Sequence, residues 1–181
     1  MYQYNNLSKI VQTGDWIFLT GGSAWYSKWI RKFTFSKANH VAIVYDETRI
    51  FETDLQYGAA TFHLLKALQD KKIAIVRPKF YKPDDYIKVR NLCRTYEGRP
   101  YSVWDVTTNA VFFWLKSELR AKLISALSNT FFMKCDELVA RITWEVTKHK
   151  TIKAWEGYTP GRLLEIAYFN PADYEIVLNT L

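Results

Sequence analysis

Few side chains in this sequence can act as nucleophiles with a base beside them. It has two cysteines and three histidines. Cys135 stands just before Leu138, Val139, Ile142 and Val146, an apolar stripe at helical spacing, so it reads as the start of a helix. A thiol there faces the positive end of the helix dipole, which favours thiolate. Asp136 and Glu137 share that first turn; they stabilise the helix but disfavour a neighbouring thiolate. Cys93 falls on the stripe Tyr86, Val89, Leu92, Cys93 and Tyr96 and reads as a small buried hydrophobe. A cysteine nucleophile needs a base within hydrogen-bond reach, and the base needs an orienting partner. His149 lies in Lys-His-Lys, a solvated cationic surface. His63 lies in Phe-His-Leu-Leu and reads as a core or cap histidine. His40 opens the apolar run His40-Val-Ala-Ile-Val-Tyr45, where a polar ring demands a reason. Glu52, inside Arg-Ile-Phe-Glu-Thr, is a second polar group in an apolar strand, and buried charge is costly unless paired. From the residues alone two readings stay open. One is a Cys135-His40-Glu52 site; the other is a structural His40-Glu52 pair with an unrelated cysteine.

The elements that must position these groups follow from local pattern. Trp16 to Thr20 is a strand opened by Gly14-Asp15 and ended by Gly21-Gly22. Ser23 is placed to cap a helix to about Phe33, with Trp25, Trp29, Ile30 and Phe33 at helical spacing. His40 to Tyr45 is a strand buried on both faces. Asp46 to Thr48 make a turn, and Arg49 to Thr53 return as the second arm of a hairpin. Residues 71–77 are a third strand, stopped by Pro78. Residues 84–97 form a helix with Gly98 at its C-terminal cap, and 106–127 is helical in pattern. Thr159-Pro160 reads as a cap with proline at the first helical position, and 174–179 alternate like a last strand. Neighbouring strands that meet in hairpins favour α+β with an antiparallel sheet packed against helices.

Register decides whether His40 and Glu52 can meet. Opposite residues in an antiparallel pair have a constant sum, and side chains alternate faces with period two. A three-residue turn pairs Tyr45 with Arg49 and makes Glu52 a same-face diagonal neighbour of His40. A two-residue turn at Glu47-Thr48 pairs Asp46 with Arg49 and turns Glu52 to the opposite face. The site therefore requires the first register, or a bulge that restores it.

Composition bounds the rest. A chain of 181 residues suits one domain, residues 1–181, with no internal boundary or repeat. At this size roughly 70% of the extended-chain surface can be buried, so no disulfide framework is needed. No run of 18 apolar residues exists, so no integral membrane segment is expected. The opening residues have no charged region followed by an apolar one, so no secretory signal is read. Two cysteines without a signal suggest a reducing compartment. The cytoplasm is then the default location, with delivery in a virion or another exit route as the alternative. The net charge of +7 is densest at Lys28, Arg31, Lys32 and Lys37, then at Lys148, His149, Lys150 and Lys153. It reads first as a solvated surface and second as attraction to an anionic partner such as a wall polymer or phospholipid headgroup. A nucleic-acid partner is not expected, since that role needs a contiguous basic stripe with exposed aromatics.

Six segments in order carry a resemblance. They are Gly14-Asp15-Trp-Ile-Phe; Ser36-Lys-Ala-Asn-His40-Val-Ala-Ile-Val; Ile50-Phe-Glu52; Gly98-Arg-Pro-Tyr101-Ser; Lys134-Cys135-Asp-Glu-Leu-Val-Ala; and Thr159-Pro160-Gly-Arg-Leu163. Together they resemble the circularly permuted branch of the NlpC-type papain-like superfamily, the YiiX-like hydrolases, and more distantly the lecithin retinol acyltransferases. The resemblance spans about residues 14 to 165. It implies a permuted papain-like fold and a cysteine hydrolase with Cys135 as nucleophile, His40 as general base and Glu52 as the orienting acid, needing no cofactor and no metal. The substrate class implied is an amide or ester, a cell-wall peptide or a lipid. Asp15, Trp25 and Tyr101 are the candidates for lining its cleft, with core packing as their other reading. Phe131 and Phe132, together with 17% aromatic residues, predict a cleft lined by rings at the cysteine helix. Three departures stand out. Asp136 replaces the usual serine after the cysteine, Ser102 replaces an aspartate after the tyrosine, and Ala42 stands where glycine is common. The first departure keeps a catalytically inactive binding module of the same fold as the alternative function.

Overall fold

The β-branched and aromatic runs form strands because each can bury both of its faces. In the computed structural model, residues 6–20, 38–54, 56–101, 133–152 and 158–181 are described. The helix expected over 23–33, with Trp25, and the helical stretch 106–127 lie outside the described residues. In chain order the elements are α1 (Leu7–Ile10), β1 (Trp16–Thr20), β2 (His40–Asp46), β3 (Arg49–Asp54), β4 (Gly58–His63) and α2 (Leu64–Leu68). Then follow β5 (Lys72–Pro78), α3 (Asp85–Tyr96), α4 (Cys135–Thr147), α5 (Pro160–Phe169) and β6 (Tyr174–Asn179). The strands make one six-stranded sheet in the order β4-β3-β2-β1-β5-β6, antiparallel at every pairing. The architecture is α+β, as the hairpin pattern predicts.

Alternation along the strands splits the core in two. Trp16, Phe18, Val41, Ile43, Phe51 and Val76 join one cluster with Val89 and Cys93 of α3, Leu138, Val139 and Ile142 of α4, and Leu163 of α5. Ile17, Leu19, Ala42, Val44, Ile50, Ile73 and Ile75 form the other with Leu7, Leu64 and Leu68. Period-two alternation thus gives three layers, with the long helices on one face and short segments on the other.

Two expectations need correction and two are met in detail. Residues 58–63 carry no alternating apolar pattern, yet they form β4, because its backbone pairs with β3 from Arg49↔His63 to Asp54↔Gly58. His63 is exposed and ends that strand, so it is not a core histidine; it stands at the N-cap position of α2 without a side-chain cap hydrogen bond. The β2–β3 turn has two residues, Glu47 and Thr48, with Asp46 opposite Arg49. Asp46 Oδ1 accepts both the backbone N–H and the hydroxyl of Thr48 at 2.9 Å, which closes the chain one residue earlier than expected. Gly98 has φ +79° just past α3. Thr159 caps α5 by accepting the Arg162 N–H at 3.2 Å, with Pro160 following.

No helix among the described residues is long and apolar enough to cross a membrane. Phe51 is fully buried, sits on β3 between β2 and β4, and belongs to the helix-covered cluster. Phe51→Ala is expected to cost about 3–5 kcal/mol in urea unfolding, since the cavity lies against a sheet that cannot collapse into it. A loss near zero would mean that this face of the sheet is not covered.

Candidate active site

The register question resolves through a bulge. Asp46 pairs with Arg49, but Val44 pairs with Ile50 and Ile43 with Phe51, so Tyr45 is the extra residue. That insertion returns the hairpin to the register in which His40 and Glu52 are same-face diagonal neighbours. The side chains meet: His40 Nε2 lies 2.5 Å from Glu52 Oε2, with the two side chains 26% and 12% exposed. Nε2 faces the carboxylate, so a neutral ring that carries its proton on Nε2 keeps Nδ1 as its acceptor.

Cys135 is the first residue of α4, close enough to His40, the first residue of β2, to act on its ring electrostatically. Burial lowers the affinity of the imidazole for a proton; the charge and hydrogen bonding of Cys135 and then Glu52 overcome it and raise the ring well above its ordinary value. Burial raises Glu52, but the His40 charge and hydrogen bond, with help from Lys71, hold it below the ordinary carboxylate range. His40 is therefore the shared partner of the acid and the thiol.

The position of α4 is fixed along its length. Trp16 Nε1 and the Tyr81 hydroxyl both donate to Thr143 Oγ1 at 3.1 Å, tying the helix to β1 and to the segment after β5. Tyr96 of α3 donates to Glu145 Oε1 at 2.5 Å. Gly14, with φ +90°, lies where any β-carbon would stand 2.8 Å from the Tyr81 ring, so the glycine before Asp15 lets that ring reach Thr143.

The structure places the remaining candidates as follows. Tyr101 forms a parallel bridge with Met133, two residues before Cys135, and is half-buried. It therefore stands beside the site. Gly58, with φ +69°, lets Arg99 lie against β4, and Ala59 N–H donates to Arg99 O at 2.7 Å; this steers residues 98–101 toward Met133. Asp15 is 1% exposed, and Arg77 Nε and Nη2 bind its two oxygens at 2.9 and 2.8 Å. It also accepts the Gln12 N–H, so it is a structural ion pair and not a cleft wall. Trp25, like Phe131 and Phe132, lies outside the described residues. Cys135 itself is 4% exposed, which corrects the expectation of an open helix start. α4 packs against β2 and β3, and its first residue lies near His40, the first residue of β2.

The sequence did not single out Lys134 or Lys71. Lys134 is 6% exposed, and its ammonium is 3.8 Å from Asp136 Oδ2. A lysine between an aromatic run and the cysteine was the available signal. Cys93 is fully buried on α3, and desolvation pushes its thiol up to about 12, as an inert core cysteine requires.

No family model matches the sequence, and no curated protein matches it. A solved structure shares the fold. It is described as "Crystal structure of metalloprotein yiiX from Escherichia coli O157:H7, DUF1105" and aligns with a TM-score of 0.56 at 16% identity, over 93% of this chain and 89% of that chain. At that identity the likeness shows the fold alone, a YiiX-like α+β architecture.

The His40–Glu52 pair predicts a pH window. A raised histidine contributes stability below its ordinary value of 6.5 and loses it as pH rises through the folded value. A lowered glutamate contributes above its ordinary value of 4.5 and loses it as pH falls through the folded value. The coupling between His40→Ala and Glu52→Gln in a double-mutant unfolding cycle is therefore expected to peak between those two values and to fall on either side. A coupling that does not vary with pH would mean the pair is not ionised in the fold.

Proposed function

We propose that this chain is a thiol hydrolase or acyltransferase of the circularly permuted, NlpC-type papain-like kind, with Cys135 as nucleophile, His40 as base and Glu52 as the acid that orients it. The single observation that carries the reading is the His40 ring, held by Glu52 through Nε2 at 2.5 Å; Cys135 is near enough to raise the ring's proton affinity. The YiiX-like fold and the order of the six sequence segments support it.

The chemistry is acyl transfer. Nδ1 of His40 takes the Cys135 proton as the sulfur attacks the acyl carbon, and the carbonyl electron pair moves onto oxygen. The backbone N–H of Cys135, unpaired within the first turn of α4, is the natural donor to that oxyanion. Collapse breaks the bond to the amine or alcohol, which leaves with the proton from His40. Water, or an acceptor hydroxyl, then gives its proton to His40 and displaces the thiol from the thioester. Glu52 keeps the Nε2 tautomer fixed and stabilises the imidazolium through both halves.

The YiiX structure is described as that of a metalloprotein. Among the described residues of this chain, no group of three or more His, Cys, Asp or Glu side chains is gathered to hold a metal ion. Every step above uses the chain's own residues. The substrate class is an acyl amide or ester, a cell-wall peptide or a lipid. The inactive binding module is the second reading; the 4% exposure of Cys135 and the carboxylate at Asp136 favour it.

An electrophilic acyl probe separates the two. It is expected to label Cys135 and spare Cys93, and Cys135→Ala is expected to abolish labelling and turnover while the thermal unfolding midpoint stays near that of the unmodified chain. Labelling of both cysteines alike, or of neither, would favour the binding module. Cys93→Ala should instead cost stability, on the order of 1 kcal/mol for its small buried volume.

A further inference from the structure

The side chain after the nucleophile is buried, charged and aimed at the sulfur. Asp136 is 5% exposed. Cys135 Sγ donates to Asp136 Oδ1 at 3.7 Å. The other oxygen, Oδ2, has no hydrogen-bond donor among the described residues and lies 3.8 Å from the Lys134 ammonium. A first-turn aspartate ordinarily turns to solvent or to the free N–H groups of its helix. This one is buried beside the thiol. The Cys135 thiol donates to Asp136, and His40 is the second group it acts on.

We propose that Asp136 is a positioning residue that holds Cys135 as the thiol and sets how much of it His40 can ionise. This rests on the reading of Cys135 as the nucleophile, and it goes beyond that reading by assigning the site a built-in restraint. The physical reason is Coulombic. A carboxylate about 4 Å from a sulfur, in a partly buried setting, opposes a second negative charge there. Lys134 cancels part of that repulsion and keeps the carboxylate in place. Burial raises the Asp136 carboxyl above its ordinary range, against Lys134, its own backbone N–H, Cys135 and His40, all of which lower it. Among the described residues, the other charged groups near the site are Glu52, which is paired to His40, Lys71, which acts on Glu52, and Glu137, which is paired to Arg141 at 3.1 Å. The carboxylate bonded to Sγ is that of Asp136.

The test is the pH profile of Cys135 alkylation by iodoacetamide, read by mass spectrometry on the full chain in a Cys93→Ala background. Asp136→Asn keeps the shape and removes the charge. It is expected to move the midpoint of the profile down by about one pH unit, a roughly tenfold faster alkylation on the acid side. Asp136→Glu, which restores the charge, is expected to return most of the profile. If Asp136→Asn does not fold by thermal unfolding, Asp136→Ser serves the same purpose. A midpoint unmoved by loss of the charge overturns the proposal, because a purely structural aspartate would change stability and not the profile. His40→Ala separates this failure from that of the triad. A profile that shifts with Asp136 and not with His40 sinks the triad and keeps the restraint; the reverse sinks the restraint alone.

Discussion

The contact between His40 and Glu52 is the constraint on which the rest of the site depends, and it is a matter of register. Side chains on neighbouring strands share a face only when the pairing sum has the right parity. The tight turn at Glu47-Thr48 sets the wrong parity, and the extra residue at Tyr45 corrects it. Tyr45 is not a loose insertion. It joins the helix-covered core at 5% exposure, its hydroxyl accepts from Arg94 Nε at 3.0 Å, and the Arg49 guanidinium lies 4.7 Å from its ring centre. The bulge is thus held by packing and charge on both sides. One backbone irregularity brings an acid to a base that a regular hairpin would keep on opposite faces.

The second constraint is the reach of α4. Its first residue must meet the end of β2, and its far end must not drift. The bonds that fix it lie two turns from Cys135, at Thr143 and Glu145. Both acceptors take their bonds from aromatic side chains, Trp16 and Tyr81 on one side and Tyr96 on the other. Each ring also belongs to the core, so apolar burial and hydrogen bonding act on the same side chains. The high aromatic content, read from the sequence as a lined cleft, is in this region the means by which a helix is set against a sheet.

Much of this was legible because the signals are short-range. Strand positions followed from apolar runs, helix ends from Gly98 and Thr159-Pro160, and the pairing of His40 with Glu52 from the cost of burying each alone. What escaped depends on contacts distant in sequence. The strand at 58–63 has the composition of a loop and exists because β3 offers it a backbone edge. Asp15 looked like a cleft residue, and its partner Arg77 lies 62 positions away, beyond any local pattern. The burial of Cys135 was missed for the same reason. A helix start is ordinarily open, and the packing of α4 against the sheet is not written in its local sequence. Lys134 offered only its place beside the cysteine, since a lysine is read as surface until the Asp136 carboxylate is seen 3.8 Å away.

The two cysteines make the last point by contrast. Both are buried in the same cluster, at 0% and 4% exposure, so solvent access does not distinguish them. Their neighbours do. Cys93 lies mid-helix among apolar side chains, where desolvation is the largest influence and favours the thiol. Cys135 has polar neighbours instead: its sulfur donates to Asp136 Oδ1 at 3.7 Å, and it acts on the His40 ring. His40 is backed by Glu52 and Asp136 by Lys134, so each neighbour of the sulfur brings a charged partner of its own. Equal burial therefore puts the two cysteines in different chemical settings.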